Sequence, residues 1–170
     1  MVASERASAS TRRWAVRFIV VTALATCTAL PCQAVVESDT DPQAAADPDY
    51  AAGRKAIEAR NWNAAIKSFS SAALRAPDNA DIQNYLGYAH RKAGQLDPAF
   101  RHYKRALELN PRHRGAHEYI GEAYLMAGDL ASARKHLEEL RKICLLPCEE
   151  LNDLEKAIAE YRGKPRTGTR

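Results

Sequence analysis

Gly53, Gly87 and Gly121 stand 34 residues apart, and four further columns keep the same step. Ala65, Ala99 and Ala133 form one. Phe69, Tyr103 and Leu137 form a second, Ala72, Ala106 and Leu140 a third, and Pro77 and Pro111 a fourth. A fixed period of this length means copies of one supersecondary unit, none of which can bury its apolar face alone. The units must therefore stack and share a continuous core.

Each unit reads as two antiparallel helices. In the middle unit Ile82, Leu86, Ala89 and Ala93 recur at helical spacing over 81–94, and Gly94 ends the run where a left-handed cap suits glycine. The second helix is expected over 97–111. Asp97 is its N-cap candidate, Pro98 its first residue, and Asn110-Pro111 its stop. Ala99, Tyr103, Ala106 and Leu107 should face inward, with Gly87 and Ala99 allowing close approach of the two helices.

These residues resemble the tetratricopeptide repeat family. The middle unit carries its motif in Leu86-Gly87, Ala99, Tyr103, Ala106 and Pro111. The first carries Gly53, Ala65, Phe69, Ala72 and Pro77, with Ala52 for leucine and Arg60-Asn61 in place of the loop glycine. The third carries Gly121, Tyr124, Gly128 and Ala133, but has Leu137 for the aromatic, Leu140 for alanine and no proline at residue 145. The resemblance implies an all-α, right-handed α-solenoid of three helix pairs over 46–145, in units 46–79, 80–113 and 114–147. A capping helix is expected over 148–162, where Leu151, Leu154, Ala157, Ile158 and Tyr161 form one apolar stripe. Residues 35–46 read as a flexible linker and 163–170 as a disordered tail, since neither has periodicity.

By the same resemblance the chain is a scaffold that binds a partner protein or peptide in a concave groove lined by the first helices. The side chains projected onto that groove are Tyr50, Arg54, Asn84, Tyr88, Arg91, Glu118 and Glu122. Tyrosine and arginine together suit an interface. Family modules that clamp a C-terminal carboxylate use Lys and Asn at the positions held here by Tyr50 and Arg54, so that clamp is not matched.

Residues 1–34 read as a secretory signal: Arg12, Arg13 and Arg17 precede an uncharged run from Phe18, and Cys32-Gln33-Ala34 offers a cleavage site. Alternatives are an uncleaved anchor, lipidation at Cys27, and twin-arginine export from Thr11-Arg12-Arg13. With cleavage no stable membrane span is expected, and the chain becomes a periplasmic or secreted protein. The segment holds four Arg and one Glu, so 21 basic and 20 acidic residues remain beyond it. No basic surplus is left to neutralise phosphates, which argues against nucleic acid.

Beyond residue 34 only Cys144 and Cys148 remain, in Ile143-Cys144-Leu145-Leu146-Pro147-Cys148. Residues i and i+4 lie about 6 Å apart along a helix, within reach of a disulfide, and an exported chain can form one. The stretch also resembles the cysteine-bearing final turn of small exported bacterial repeat proteins. The alternative is redox or copper handling in an envelope protein.

His113 and His117 have the i, i+4 spacing of a metal pair, but Arg112 and Arg114 flank them and no further ligand is near, so no metal is expected. His102 and His136 are 34 apart among polar neighbours and are expected on a solvated face. His90 is expected as a half-buried filler. No phosphate loop or nucleophile elbow occurs and no acid pair is placed in a recognisable cleft, so no enzyme and no cofactor are expected.

Overall fold

The computed structural model describes residues 46–163, so the expected signal segment, nearly all of the linker and most of the tail lie outside the described residues. These residues form seven α-helices: α1 Pro48–Glu58, α2 Trp62–Arg75, α3 Ala80–Lys92, α4 Leu96–Leu109, α5 Arg114–Met126, α6 Leu130–Ile143 and α7 Glu149–Gly163. The fold is an all-α helical repeat, with α1–α2, α3–α4 and α5–α6 as the pairs.

The turn within each pair is the same structure three times. Arg60, Gly94 and Gly128 have φ of 53°, 77° and 83°. The next N–H returns to a carbonyl five residues back: Asn61 to Ala56 at 2.8 Å, Gln95 to His90 at 2.9 Å, Asp129 to Tyr124 at 2.8 Å. This is the left-handed helix cap that glycine favours, and Arg60 adopts it with a Cβ in the way. Asn61 and Asp129 then cap the second helices by accepting from the N–H of Ala64 and Ser132. Gln95 makes no such bond and turns its side chain to His90. The second helix of the middle unit therefore begins at Leu96, and Asp97 is not its cap. Pro98 sits third in the helix, where a missing N–H still costs no helical bond. The first helices are capped by the side chains of Asp47, Asn79 and His113.

The glycine column marks where the pairs cross. A Cβ on Gly53 would come within 2.7 Å of the Phe69 ring, and one on Gly87 within 2.5 Å of the Tyr103 ring. In the third unit the column's aromatic is replaced by Leu137, and the contact partner changes. A Cβ on Gly121 would meet Leu154 of α7 at 2.7 Å. The terminal helix thus supplies the bulk that the third pair lacks.

Three apolar clusters run along the stack. Tyr50, Phe69, Ile82 and Leu86 join units one and two, Ala99, Tyr103, Ile120 and Ala123 join two and three, and Leu125, Leu137, Leu140, Leu154 and Ile158 join three to α7. Full burial of a leucine such as Leu154 contributes about 2 kcal/mol. Cys144, the C-cap of α6, is disulfide-bonded to Cys148, one residue before α7, with 6.0 Å between their Cα atoms. Leu145 and Leu146 form the exposed tip of that loop. Among the described residues no helix is long and apolar enough to cross a membrane.

Candidate functional site

The first helices α1, α3 and α5 lie side by side. Tyr50 meets Tyr85 with ring centroids 5.6 Å apart, Tyr88 meets Tyr119 at 4.9 Å, and Arg91 of α3 reaches Glu122 of α5 at 2.5 Å. This lateral packing decides where the seven projected residues fall.

Only Arg54 stands open; Tyr88 and Glu122 are half-buried. Tyr50, Asn84 and Glu118 occupy one repeat position, 34 residues apart, and are only 3%, 4% and 8% exposed. They lie in the seams between each first helix and the next, not on an open wall. Arg91 is sealed as well. Its Nε donates to the Tyr103 hydroxyl at 3.2 Å, and its guanidinium lies 5.4 Å and 5.5 Å from the Tyr88 and Tyr119 ring centroids. Projection from a single helix missed this, because burial here comes from the neighbouring helix.

The sealed column is short of hydrogen bonds. The Tyr50 hydroxyl and Asn84 Oδ1 are buried without a partner. Arg54 sits beside Tyr50 but donates to Tyr85 at 2.6 Å, with its guanidinium 4.8 Å from that ring's centroid. Burial pushes the Tyr50 phenol well above its usual range. Glu118 has no hydrogen bond or ion pair with the described residues. Burial, then repulsion from Glu122, Asp153 and Glu150, raises its carboxyl to about 8, with Arg91 opposing. Buried polar groups are normally paired, so two orphaned atoms and an unpaired carboxyl in one column call for an explanation.

Tyr85, Tyr119 and Trp62 belong to this face and were not anticipated. Tyr85 and Tyr119 are themselves 34 apart, a column that the repeat could have revealed. Trp62 shares its column with Leu96 and Leu130 and meets Tyr88 edge-on at 6.3 Å. Lys92 completes the patch, its Nζ 5.3 Å from the Tyr88 ring centroid.

The histidines are structural. His113 Nδ1 accepts from the Ala116 N–H and its Nε2 meets Asp81 at 3.1 Å. His117 uses Nε2 toward the Pro111 carbonyl and Nδ1 toward His136, both at 3.0 Å. All four nitrogens of the i, i+4 pair are engaged. His102 and His136 are half-buried between helices, contrary to the solvated face expected of them, because Gln83 and His117 on the facing first helices hold them. His90 is half-buried and stacks on His102 at 5.4 Å.

Comparison with known proteins bears on the fold. Two family models described as tetratricopeptide repeat match residues 80–113 and 116–143. The chain is similar to the TPR2B domain of yeast Sti1 in its pHsp70 complex, with a TM-score of 0.62, 18% identity, and coverage of 67% of this chain and 93% of that one. It is similar to the first TPR of Spaghetti (RPAP3) bound to the HSP90 peptide SRMEEVD, with a TM-score of 0.57, 20% identity and coverage of 66% and 90%. It is also similar to the type III secretion translocator chaperone SycD of Yersinia enterocolitica, with a TM-score of 0.63, 16% identity and coverage of 73% and 88%. No curated protein matches it in sequence. The 34-residue columns, the repeated helix pairs with their glycine crossings, and the two model matches agree on a helical repeat of the tetratricopeptide type, with matched repeats at residues 80–113 and 116–143.

Proposed function

We propose that the chain is a non-enzymatic scaffold that holds a partner protein or peptide along the concave face of its first helices. The observation that carries this is the column Tyr50, Asn84 and Glu118: among the described residues the Tyr50 hydroxyl and Asn84 Oδ1 have no hydrogen-bond partner and Glu118 has no ion pair. Leaving such groups unpaired costs stability, and a bound segment supplies what they lack. Around them Arg54, Tyr85, Tyr88, Tyr119 and Lys92 offer the aromatic and cationic surface that interfaces favour. Two of the similar structures are complexes, one with pHsp70 and one with the HSP90 peptide SRMEEVD.

We further propose that the chain acts in a bacterial envelope, periplasmic or secreted. The uncharged run after Arg17 and the Cys144–Cys148 disulfide both support export. Cell fractionation with N-terminal sequencing tests this, and a cytoplasmic, uncleaved chain would reject it.

For the scaffold, the test is a photo-crosslinker at Tyr88 followed by mass spectrometry of captured partners. A double variant, Arg54→Glu with Tyr88→Ala, should lose those partners. Lys104→Glu, on the second helix of the middle unit, should keep them. Equal capture by both variants would sink the groove as the binding surface.

A further inference from the structure

The first-helix face is not uniform in charge. Its first-unit end presents Arg54. At its third-unit end, Glu118 and Glu122 of α5 meet Glu150 and Asp153 of α7. The cations facing them are Arg91 and Lys92 of α3 and Arg114 of α5. Arg91 is committed to Glu122, Arg114 lies 3.8 Å from Glu150, and Lys92 stands over Tyr88. Four carboxylates thus face three cations, and the most deeply buried of the four, Glu118, has no ion pair among the described residues.

The missing chemistry has a definite sign. Asn84 on α3 packs against Gly115, its Nδ2 3.3 Å from where a Cβ would be, one turn before Glu118 on the same side of α5. The orphaned atom of Asn84 is its oxygen. Glu118 in its ionised form also only accepts. Both groups lie on this α3–α5 seam as acceptors without a donor among the described residues, and Glu118 also lacks a positive charge. A ligand group carrying several N–H donors and a charge satisfies both at once, as an ammonium or guanidinium does. A metal ion fits less well: among the described residues no group of three or more His, Cys, Asp or Glu is placed to hold one.

Resting on the groove as the binding surface, we propose that its third-unit end receives a lysine or arginine side chain of the partner, with Glu118 as counter-charge and Asn84 as second acceptor. The partner segment is therefore basic at this point. Because the empty site favours a protonated Glu118, entry of the cation expels a proton, and affinity should climb as pH rises through neutrality.

The test uses random peptides displayed on phage, selected in parallel on the full chain and on Glu118→Gln. Wild-type binders should share a basic residue. Replacing that residue by norleucine, or binding to Glu118→Gln instead, should each cost about tenfold or more in affinity. Affinity for wild type should rise between about pH 6 and about pH 9, and affinity for Glu118→Gln should not. Thermal melts check that the variant is folded. Peptides that lose affinity on Arg54→Glu or Asn84→Ala but bind Glu118→Gln equally would overturn the cation site and leave the groove standing. Peptides indifferent to all three variants, or no selected peptide at all, would overturn the groove and this site with it.

Discussion

His117 accepts a hydrogen bond from His136 across the third repeat, Nδ1 to Nδ1 at 3.0 Å, while its Nε2 donates to the Pro111 carbonyl. The donation to a carbonyl fixes the proton of His117 on Nε2, so Nδ1 must accept and His136 must donate. One repeat earlier Gln83 plays the same part. Its Nε2 donates to the Pro77 carbonyl at 3.1 Å, and its Oε1 accepts from His102 at 2.9 Å. Units two and three thus share a polar bridge tying the second helix, through the facing first helix, to the preceding turn.

The bridges predict acid sensitivity. Burial, then the neighbouring His90 and Arg101, lowers His102 from 6.5 to about 4. Burial, then His117, lowers His136 to about 4, with Glu139 opposing. The unfolded chain binds these protons first, so the stabilisation is complete above 6.5 and is lost as pH falls toward about 4. Both rings stay partly wet, which cuts the effect to on the order of 1 kcal/mol each. Melting temperature should fall over this window, and His102→Gln with His136→Gln should flatten the fall.

Glu118 predicts the opposite limb. Its carboxyl is raised from 4.5 to about 8, so the folded chain holds a proton that the unfolded chain has released. Stability therefore declines as pH rises across that interval. Glu118→Gln should raise the melting temperature at about pH 8 and leave it nearly unchanged at about pH 3, where both states are protonated. Melts at the two pH values check this. A residue whose neutral isostere is more stable is being kept for something other than folding.

The repeat period made the helix pairs, the crossing glycines and the capping stripe legible, because each is a local pattern copied along the chain. Sideways packing was not legible. Tyr50, Asn84, Arg91 and Glu118 look polar and outward on a helical projection of their own helix, and only the neighbouring helix seals them. Nor could the period foretell that Gly121 would be filled from α7: Leu154 continues the 34-residue column of Leu86 and Ile120, whereas Gly53 and Gly87 are filled by Phe69 and Tyr103 of their own second helices. The one break in the turn motif, Arg60, was visible in the sequence, and its consequence follows from the backbone.

Arg60 holds φ 53° where the equivalent residues are Gly94 and Gly128. A residue with a Cβ loses about 1 kcal/mol or more there, and glycine gives part of that back through its looser unfolded state. Arg60→Gly should stabilise the chain by about 0.5 kcal/mol, read as a small rise in denaturation midpoint with an unchanged slope. Arg60→Val should be clearly destabilising, because branching at Cβ worsens the same clash.

The Cys144–Cys148 disulfide closes a short loop, so its chain-entropy effect is about 2 kcal/mol. It should act at the joint between α6 and α7. Reductant, or Cys144→Ser with Cys148→Ser, should lower the melting temperature by several degrees. Hydrogen exchange should quicken first in α7, with α1 to α4 unaffected until global unfolding. Uniform loss of protection along the chain would show that the staple supports the whole array.

Gly121 and Leu154 form the last and most specific relationship. Alanine ordinarily improves a helix interior over glycine by about 1 kcal/mol. At Gly121 the new methyl would lie 2.7 Å from Leu154, whose side chain is fully buried and has little room to yield. Gly121→Ala alone should therefore destabilise by about 1–2 kcal/mol. Leu154→Ala alone should cost about 3 kcal/mol through the cavity it leaves. Combined, the alanine methyl enters that cavity and the normal helix preference returns, so the double variant should be no less stable than Leu154→Ala. The coupling, at least about 1 kcal/mol in a double-mutant cycle from denaturant melts, would establish that the terminal helix stands in for the missing aromatic of the third repeat. Simple additivity would show instead that α7 covers the array without completing its core. Gly87→Ala should show no such rescue in the Leu154→Ala background, because its neighbour is the Tyr103 ring, one repeat away.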